Sequence, residues 1–414
     1  MDYNRLVPHD SFMGRYLSYM QSQETAHDFD WWCGLWCISS AVARNSYVAR
    51  PRAPVYLNLF VILVGDSGVA RKTSSVSVAR RVVHSVVAMD SSINLLDAKV
   101  TPEKLDELLH NSTEQYGNAQ LCIAVPELAV FMGTERYIAH MPTLLTDLYD
   151  CPAQRFGGGT ITRGSVIQHN VWINLLSAST PIWLLKTVNP SVIEGGFTSR
   201  CYFIVANEPK RHIPWPEDGD PLLFSDLCED ARIIAAEASK HPEIGITDGG
   251  RKLFTDWYAA RPRSIDPFKQ SFESREDAHI LRIAALLCVN DGSWSIDAPH
   301  VECAITLLAG IKQTSSSIFD NAVAKSKFAT GIDILRTHLI TQGMDPLPRS
   351  RLYIKVRQHL THLEFSSLID MLDEIGAIQR FDLKPARGRP TEYIRGTDML
   401  MSRRLGDHVL EKFS

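Results

Sequence analysis

The chain has 414 residues, 45% of them hydrophobic and 22% charged, and carries a formal net charge of −4. That length accommodates two or three domains of ordinary globular composition, and the acidic balance excludes coating of nucleic acid by global charge, so any basic surface is local. No apolar run approaches the ~20 residues of a bilayer span, and the Met1-Asp-Tyr-Asn-Arg5 start lacks a signal-peptide core, which predicts a cytoplasmic protein with no membrane partner.

Residues 1–52 read as a helical region. Phe12, Tyr16, Leu17 and Met20 recur at helical spacing, and 29–48 is rich in Trp, Leu, Ile and Ala. Trp31, Trp32 and Trp36 are expected in the core rather than as a stacking platform. Cys33 and Cys37 share a helix face, with no His cluster to complete a zinc set. The eight cysteines are therefore expected to be buried, reduced thiols.

Residues 53–215 read as an α/β core. The run 55–64 is nearly all apolar and is predicted as one strand, buried on both faces of a parallel sheet. It leads into Gly65-Asp-Ser-Gly-Val-Ala-Arg-Lys-Thr-Ser74, and 72–88 reads as a helix. Strand, glycine-bearing loop, Lys-Thr and helix come in the order of a phosphate-binding loop. In that reading Gly65, Asp66, Ser67, Gly68, Val69, Ala70, Arg71, Lys72, Thr73 and Ser74 bind the nucleotide. The helix N-terminus adds its partial positive charge. Lys72 would reach the β- and γ-phosphates of ATP, and Thr73 would ligate Mg²⁺. Asp66 and Arg71 occupy positions that usually carry glycine. The plain alternative is a Gly-rich turn.

Thr101-Pro102 is predicted to start a helix, with Thr as cap and Pro at its first position. The apolar run 121–125 reads as the next buried strand and ends in Pro126-Glu127. Glu127 is expected to orient or deprotonate an attacking water. Pro126 replaces the Asp that often precedes such a Glu, so Asp147 or Asp150 would help complete the metal shell. The stretch 154–164 has three consecutive glycines and no acid, and Arg155 and Arg163 could touch DNA phosphates. A third buried strand, 171–178, ends in Ser179-Thr180-Pro181; Thr180, or else Ser179, would sense the γ-phosphate. Arg200 follows flexible glycines and precedes a strand at 201–206. It could stabilise charge at a neighbouring subunit's nucleotide, or form a structural ion pair.

Residues 216–325 read as a helical subdomain or lid whose sequence shows no chemistry. Residues 326–400 read as three helices and a β-hairpin, the winged-helix pattern, followed by a tail, 401–414. Lys384, Arg387 and Arg389 at the hairpin tip could lie along a DNA backbone. The third helix carries Glu364, Asp370, Asp373 and Glu374, which argues against base readout in a major groove.

Together these motifs resemble the P-loop helicase-like proteins of phages, prophages and mobile elements. The resemblance spans roughly residues 10 to 320 and the winged helix. It rests on the strand beginning at Asn58, Gly-Val-Ala-Arg-Lys-Thr at 68–73, Pro126-Glu-Leu-Ala-Val-Phe131, Leu148-Tyr-Asp-Cys-Pro152, Ser177-Ala-Ser-Thr-Pro181 and Gly195-Gly-Phe-Thr-Ser-Arg200. It implies a RecA-like or AAA+-like ATPase core using ATP and Mg²⁺. It also implies a homo-oligomeric ring, a hexamer favoured, with Arg200 reaching across subunits. It implies DNA unwinding or translocation in replication of a mobile element, inside a bacterial cell, with any primase or replication initiator a separate chain. The alternatives are an ATPase switch that moves a partner protein without unwinding DNA, and a binding protein with an inactive pocket.

Overall fold

The computed structural model describes residues 7–51, 53–132, 140–157, 166–187, 196–215, 218–261, 272–341, 345–383 and 391–397. Arg163, Lys384, Arg387 and Arg389 lie outside these residues. The chain divides into two compact units, Met1–Ser316 and Ser317–Ser414.

The first unit opens with α1 (Phe12–Tyr19) and α2 (His27–Val42). The Ser11 hydroxyl caps α1 by accepting from the Gly14 N–H. Helix α2 is buried along nearly its whole length, and Trp31, Trp32 and Trp36 are core residues, as their spacing suggests. Short strands β1 (Tyr47–Val48) and β2 (Val55–Tyr56) follow, then β3 (Phe60–Val64). The apolar run 55–64 is thus not one strand. Asn58 interrupts it: its amide donates to the carbonyls of Tyr149 and Ile173, while the Leu59 N–H donates to the Asn174 side chain. A buried amide donor must be paired, and where the Asn58 NH₂ finds its partners the chain passes from one sheet into another.

Next come α3 (Lys72–Val87), β4 (Ile93–Leu96) and α4 (Pro102–Tyr116). Helix α4 starts on the Thr101 cap with Pro102 at its first position, and closes on Gly117 at φ 74°. Strand β5 (Ala119–Val125), α5 (Leu128–Met132), α6 (His140–Tyr149), the hairpin β6 (Gln154–Gly157) and β7 (Val166–His169), and β8 (Val171–Ser179) follow. Helix α7 (Pro181–Thr187) and β9 (Cys201–Val205) complete the α/β layer.

The main sheet has the order β4-β5-β8-β3-β9, with all neighbours parallel. Every residue of β3, β5 and β8 is buried, because helices cover both faces. Strand β5, which carries Glu127 at its tip, is not the neighbour of β3; β8 lies between them.

The first unit continues through α8 (Pro221–Ala238), β10 (Glu243–Ile246), α9 (Asp248–Ala260), α10 (Glu276–Asn290), β11 (Ser295–Ile296) and the start of α11 (Ala298–Thr341). This region does not form a core of its own. Leu227, Ile283, Leu286, Val301 and Leu307 belong to the same apolar cluster as Trp31, Val61 and Val82. Strands β10 and β11 extend β1 and β2 into a second sheet of order β11-β10-β1-β2. Side-chain periodicity carries no information on which distant element a helix packs against, so this sharing was not legible in sequence.

The second unit contains the end of α11, β12 (Leu347–Pro348), α12 (Arg349–Val356), α13 (His362–Glu374), β13 (Ile378–Leu383) and β14 (Thr391–Gly396). Leu335, Leu352, Phe365, Leu368 and Ile394 form its core. The strands make an antiparallel sheet of order β12-β14-β13. The helix expected to begin near 328 is the end of α11, which runs unbroken over 44 residues. Asp370 and Asp373 on α13 face Arg380 on β13, so these acids are used inside the unit.

The eight cysteines are buried and free. Among the described residues, no helix is long and apolar enough to cross a membrane.

Candidate functional site

At its C-terminal end β3 is clamped on both sides. The Gly65 N–H donates to Ser179 O, and the Ala206 N–H donates to Val64 O. A Cβ at Gly65 would fall 2.4 Å from the Ala206 carbonyl oxygen, so only glycine fits there. The loop then turns at Gly68, with φ 78°. Arg71 takes the left-handed conformation, φ 48° and ψ 38°, which glycine adopts without steric cost. An ion pair with Glu24, at 3.1 Å, holds the Arg71 side chain.

Helix α3 begins at Lys72 with no side-chain cap, unlike α1 and α4. The Ser74 and Ser75 N–H groups bond to Arg71 O, which leaves the amides of Lys72 and Thr73 at the open end of the helix. The Lys72 Nζ lies 2.6 Å from Gly65 O and 2.7 Å from Asp66 O, arched over its own loop. Burial pulls the Lys72 ammonium below its usual pKa, against the opposing charge of Asp66.

Two other strand tips meet this loop. Beyond β5, Pro126 and Glu127 are exposed, and Glu127 O accepts from the Val130 N–H at the start of α5. Beyond β8, the Thr180 hydroxyl oxygen accepts from the Trp183 N–H at 3.3 Å, so Thr180 caps α7 and keeps its own O–H to donate elsewhere. Ser179 is buried and its hydroxyl donates to Thr180 O.

Together they enclose a cleft of about 600 Å³, lined by Ser67, Gly68, Arg71, Lys72, Thr73, Ser74, Pro126, Glu127, Ser179, Thr180 and Trp183 among others. The cleft lies at the carboxyl ends of parallel strands, where open α/β sheets bind ligands. Gly65, Asp66, Val69 and Ala70 shape the loop without lining the cleft, and Ala70 is fully buried. No family model and no curated protein matches this chain.

A nucleoside triphosphate with Mg²⁺ fits this donor set. An uncapped helix N-terminus, a lysine and two left-handed loop residues face one side, and the exposed Glu127 faces the other. Among the described residues, no group of three or more His, Cys, Asp or Glu forms a cation cage. Thr73 is exposed in the first turn of α3, and phosphate oxygens and water would supply the remaining Mg²⁺ ligands.

The expected help from Asp147 or Asp150 is not there. Neither lines the cleft. Asp150 accepts from Arg200 at 2.7 Å and pairs with Arg275 at 3.3 Å. Arg200 itself adjoins Cys201, which pairs with Phe60 at the opposite end of the sheet. With β3 spanning five residues, that is ~16 Å from the Lys72 end. The Arg200 side chain is 9% exposed and also donates to Gly196 O. Arg155 is held in the same way: it pairs with Asp106 at 2.6 Å and donates to Gln168, under the β6–β7 hairpin.

Two features, one in the cleft and one behind α3, carried no sequence signal. Trp183 lines the cleft, from a short helix with no periodicity to read. Asp30, in the first turn of α2, is buried against α3, where it accepts from Thr25 at 2.7 Å and from Ser75 at 3.1 Å. Burial pushes its carboxyl up to about 7, against the lowering effect of those two hydrogen bonds.

Proposed function

We propose that the protein is an Mg²⁺-dependent ATPase that drives movement along DNA. The observation that carries the ATPase half is the meeting of Lys72, Thr73, Glu127 and Thr180 in one cleft, from three separate stretches of chain. Thr73 would hold Mg²⁺, which would supply neutralisation of the charge developing on the phosphates. Lys72 would leave the Gly65 and Asp66 carbonyls for the phosphates. The loop and helix N-terminus would hold the phosphates in line. Glu127, exposed on the opposite wall, would orient water and take its proton. Thr180 would donate its free O–H to the terminal phosphate.

The DNA half follows the resemblance to phage and mobile-element helicases, and with it come the homo-oligomeric ring and a role in mobile-element replication. Arg200 could act only on a nucleotide held by another copy, and its pairing with Asp150 would have to open. The second unit favours the alternative of an ATPase switch acting on a partner protein. Arg349 pairs with Glu392, and Arg380 with Asp370, Asp373 and Glu392, which removes two cations from a DNA-facing role.

ATP turnover measured against single-stranded DNA concentration tests the reading. Wild type should hydrolyse ATP and be stimulated, Lys72→Ala should lose nucleotide binding, and Glu127→Gln should bind but turn over ~10²–10⁴-fold more slowly. Turnover indifferent to DNA would move the assignment to the switch. Equal turnover in wild type and Glu127→Gln would remove Glu127 from the chemistry.

A further inference from the structure

Within the first unit, at the opposite end of the sheet from Lys72, lies a second cleft of about 630 Å³. Arg50, Tyr56, Asp150, Tyr258, Arg275 and Arg282 are among its lining. Its charges do not balance. Arg50 pairs with Asp277 at 2.7 Å. Asp150 is shared between Arg200 and Arg275. Arg282 is buried, donates to Tyr56 O at 2.9 Å and lies 4.6 Å from the Tyr149 ring centre. Among the described residues, four arginines therefore meet two carboxylates. Glu273 and Glu276, next to Arg275 in sequence, pair with Lys312 and do not line the cleft.

A further cation stands at the aromatic wall. The Arg261 guanidinium lies 3.9 Å from the centre of the Tyr258 ring, and Tyr258 is 44% exposed. Arg200 Nε and Arg261 Nη1 are buried with no hydrogen-bond partner among the described residues. The crowding is felt electrostatically: burial, and then the nearby Arg200, pull the Arg275 guanidinium below its usual pKa. An anion entering here would relieve that repulsion.

We propose that this cleft binds a single nucleic-acid strand, with a backbone phosphate between Arg50 and Arg275 and a base against Tyr258. A free phosphate would be served by the arginines alone. An exposed aromatic ring beside surplus guanidinium groups is the combination that holds a strand by phosphate and base together. It also supplies the local basic surface that a chain of net charge −4 needs to bind nucleic acid. The inference rests on the nucleic-acid half of the proposed function and not on ATP hydrolysis.

The test is fluorescence anisotropy of a labelled oligo(dT) strand titrated with the full chain, without nucleotide, over a series of salt concentrations. Arg275→Ala should weaken binding about tenfold and reduce the log–log salt slope by ~0.7, the value for one lost phosphate contact. Arg50→Ala should act in the same direction, and Arg275→Lys should restore most of the slope. Tyr258→Ala should weaken binding about tenfold with the slope unchanged, because stacking releases no counterion. Arg232→Ala, on α8 outside the cleft, is the control. Wild-type affinity in all the cleft variants overturns this site while leaving DNA binding intact. Failure of the wild type to bind the strand overturns both the site and the DNA half of the proposed function. Suppose instead that oligo(dT) binding is unchanged, but Arg275→Ala loses ATP turnover and regains it when mixed with Lys72→Ala chains. The cleft then serves a neighbouring copy's nucleotide, and the strand assignment is overturned.

Discussion

Replacing Asp30 by Asn should stabilise the protein at high pH and flatten its pH dependence. Asp30 is 5% exposed and joins α2 to α3 through the Ser75 hydroxyl. Its carboxyl is raised from 3.8 to about 7. An acid with a raised folded pKa binds its proton more tightly in the folded state. Its contribution is therefore fully present below the unfolded value and is lost as pH rises through the folded value. Each pKa unit is ~1.4 kcal/mol, so ionised Asp30 opposes folding by about 4 kcal/mol above pH 7. The same linkage makes about 2–3 kcal/mol of that loss appear between pH 5 and pH 8. Asn keeps an oxygen to accept from Thr25, and its amide can donate to Ser75. Its replacement cost is thus about one perturbed hydrogen bond, ~1 kcal/mol. Urea unfolding at pH 5, 6, 7 and 8 should show Asp30→Asn overtaking wild type as pH rises. If the gap between the two proteins is constant over that range, Asp30 is ionised when folded and the burial argument fails.

Arg155→Ala should destabilise the first unit by about 2 kcal/mol, because it removes the guanidinium from the Asp106 carboxylate, which is 12% exposed and keeps its bond from Gln168. Urea midpoints would register this, and oligonucleotide affinity should stay within about twofold, since the guanidinium already faces inward. Ala43 sits at φ 52° and ψ −139°, a region open essentially to glycine. Ala43→Gly should therefore raise stability by about 1 kcal/mol, visible as a higher Tm, and an unchanged or lower Tm would show that the turn is unstrained.

Much of the cleft at Lys72 could be read along the chain, because its parts are local. A buried strand followed by Gly65–Ser74 and a helix places Lys72 and Thr73 by backbone geometry alone. Glu127 and Thr180 follow in the same way, each one or two residues beyond a fully buried strand. Parallel strands end on a common edge, so three strand tips found separately in sequence fall together in space. The strand break at Asn58 was hidden because the run is apolar on either side and the amide's partners, Tyr149 and Ile173, are far away in sequence.

The sequence by itself determined the fully buried strands β5 and β8, the Thr101 cap of α4 and the loop between β3 and α3, because periodicity, caps and glycine positions act over a few residues. Only the tertiary structure decided which charges are spent. Arg155 and Arg200 look alike in sequence, as single arginines beside glycines, yet each is paired inside the fold with an acid some fifty positions away. Arg275 and Arg282 showed no chemistry in sequence, yet folding brings them to one cleft with Arg50. Coulomb energy depends on distance and burial, and both are set by packing rather than by spacing along the chain.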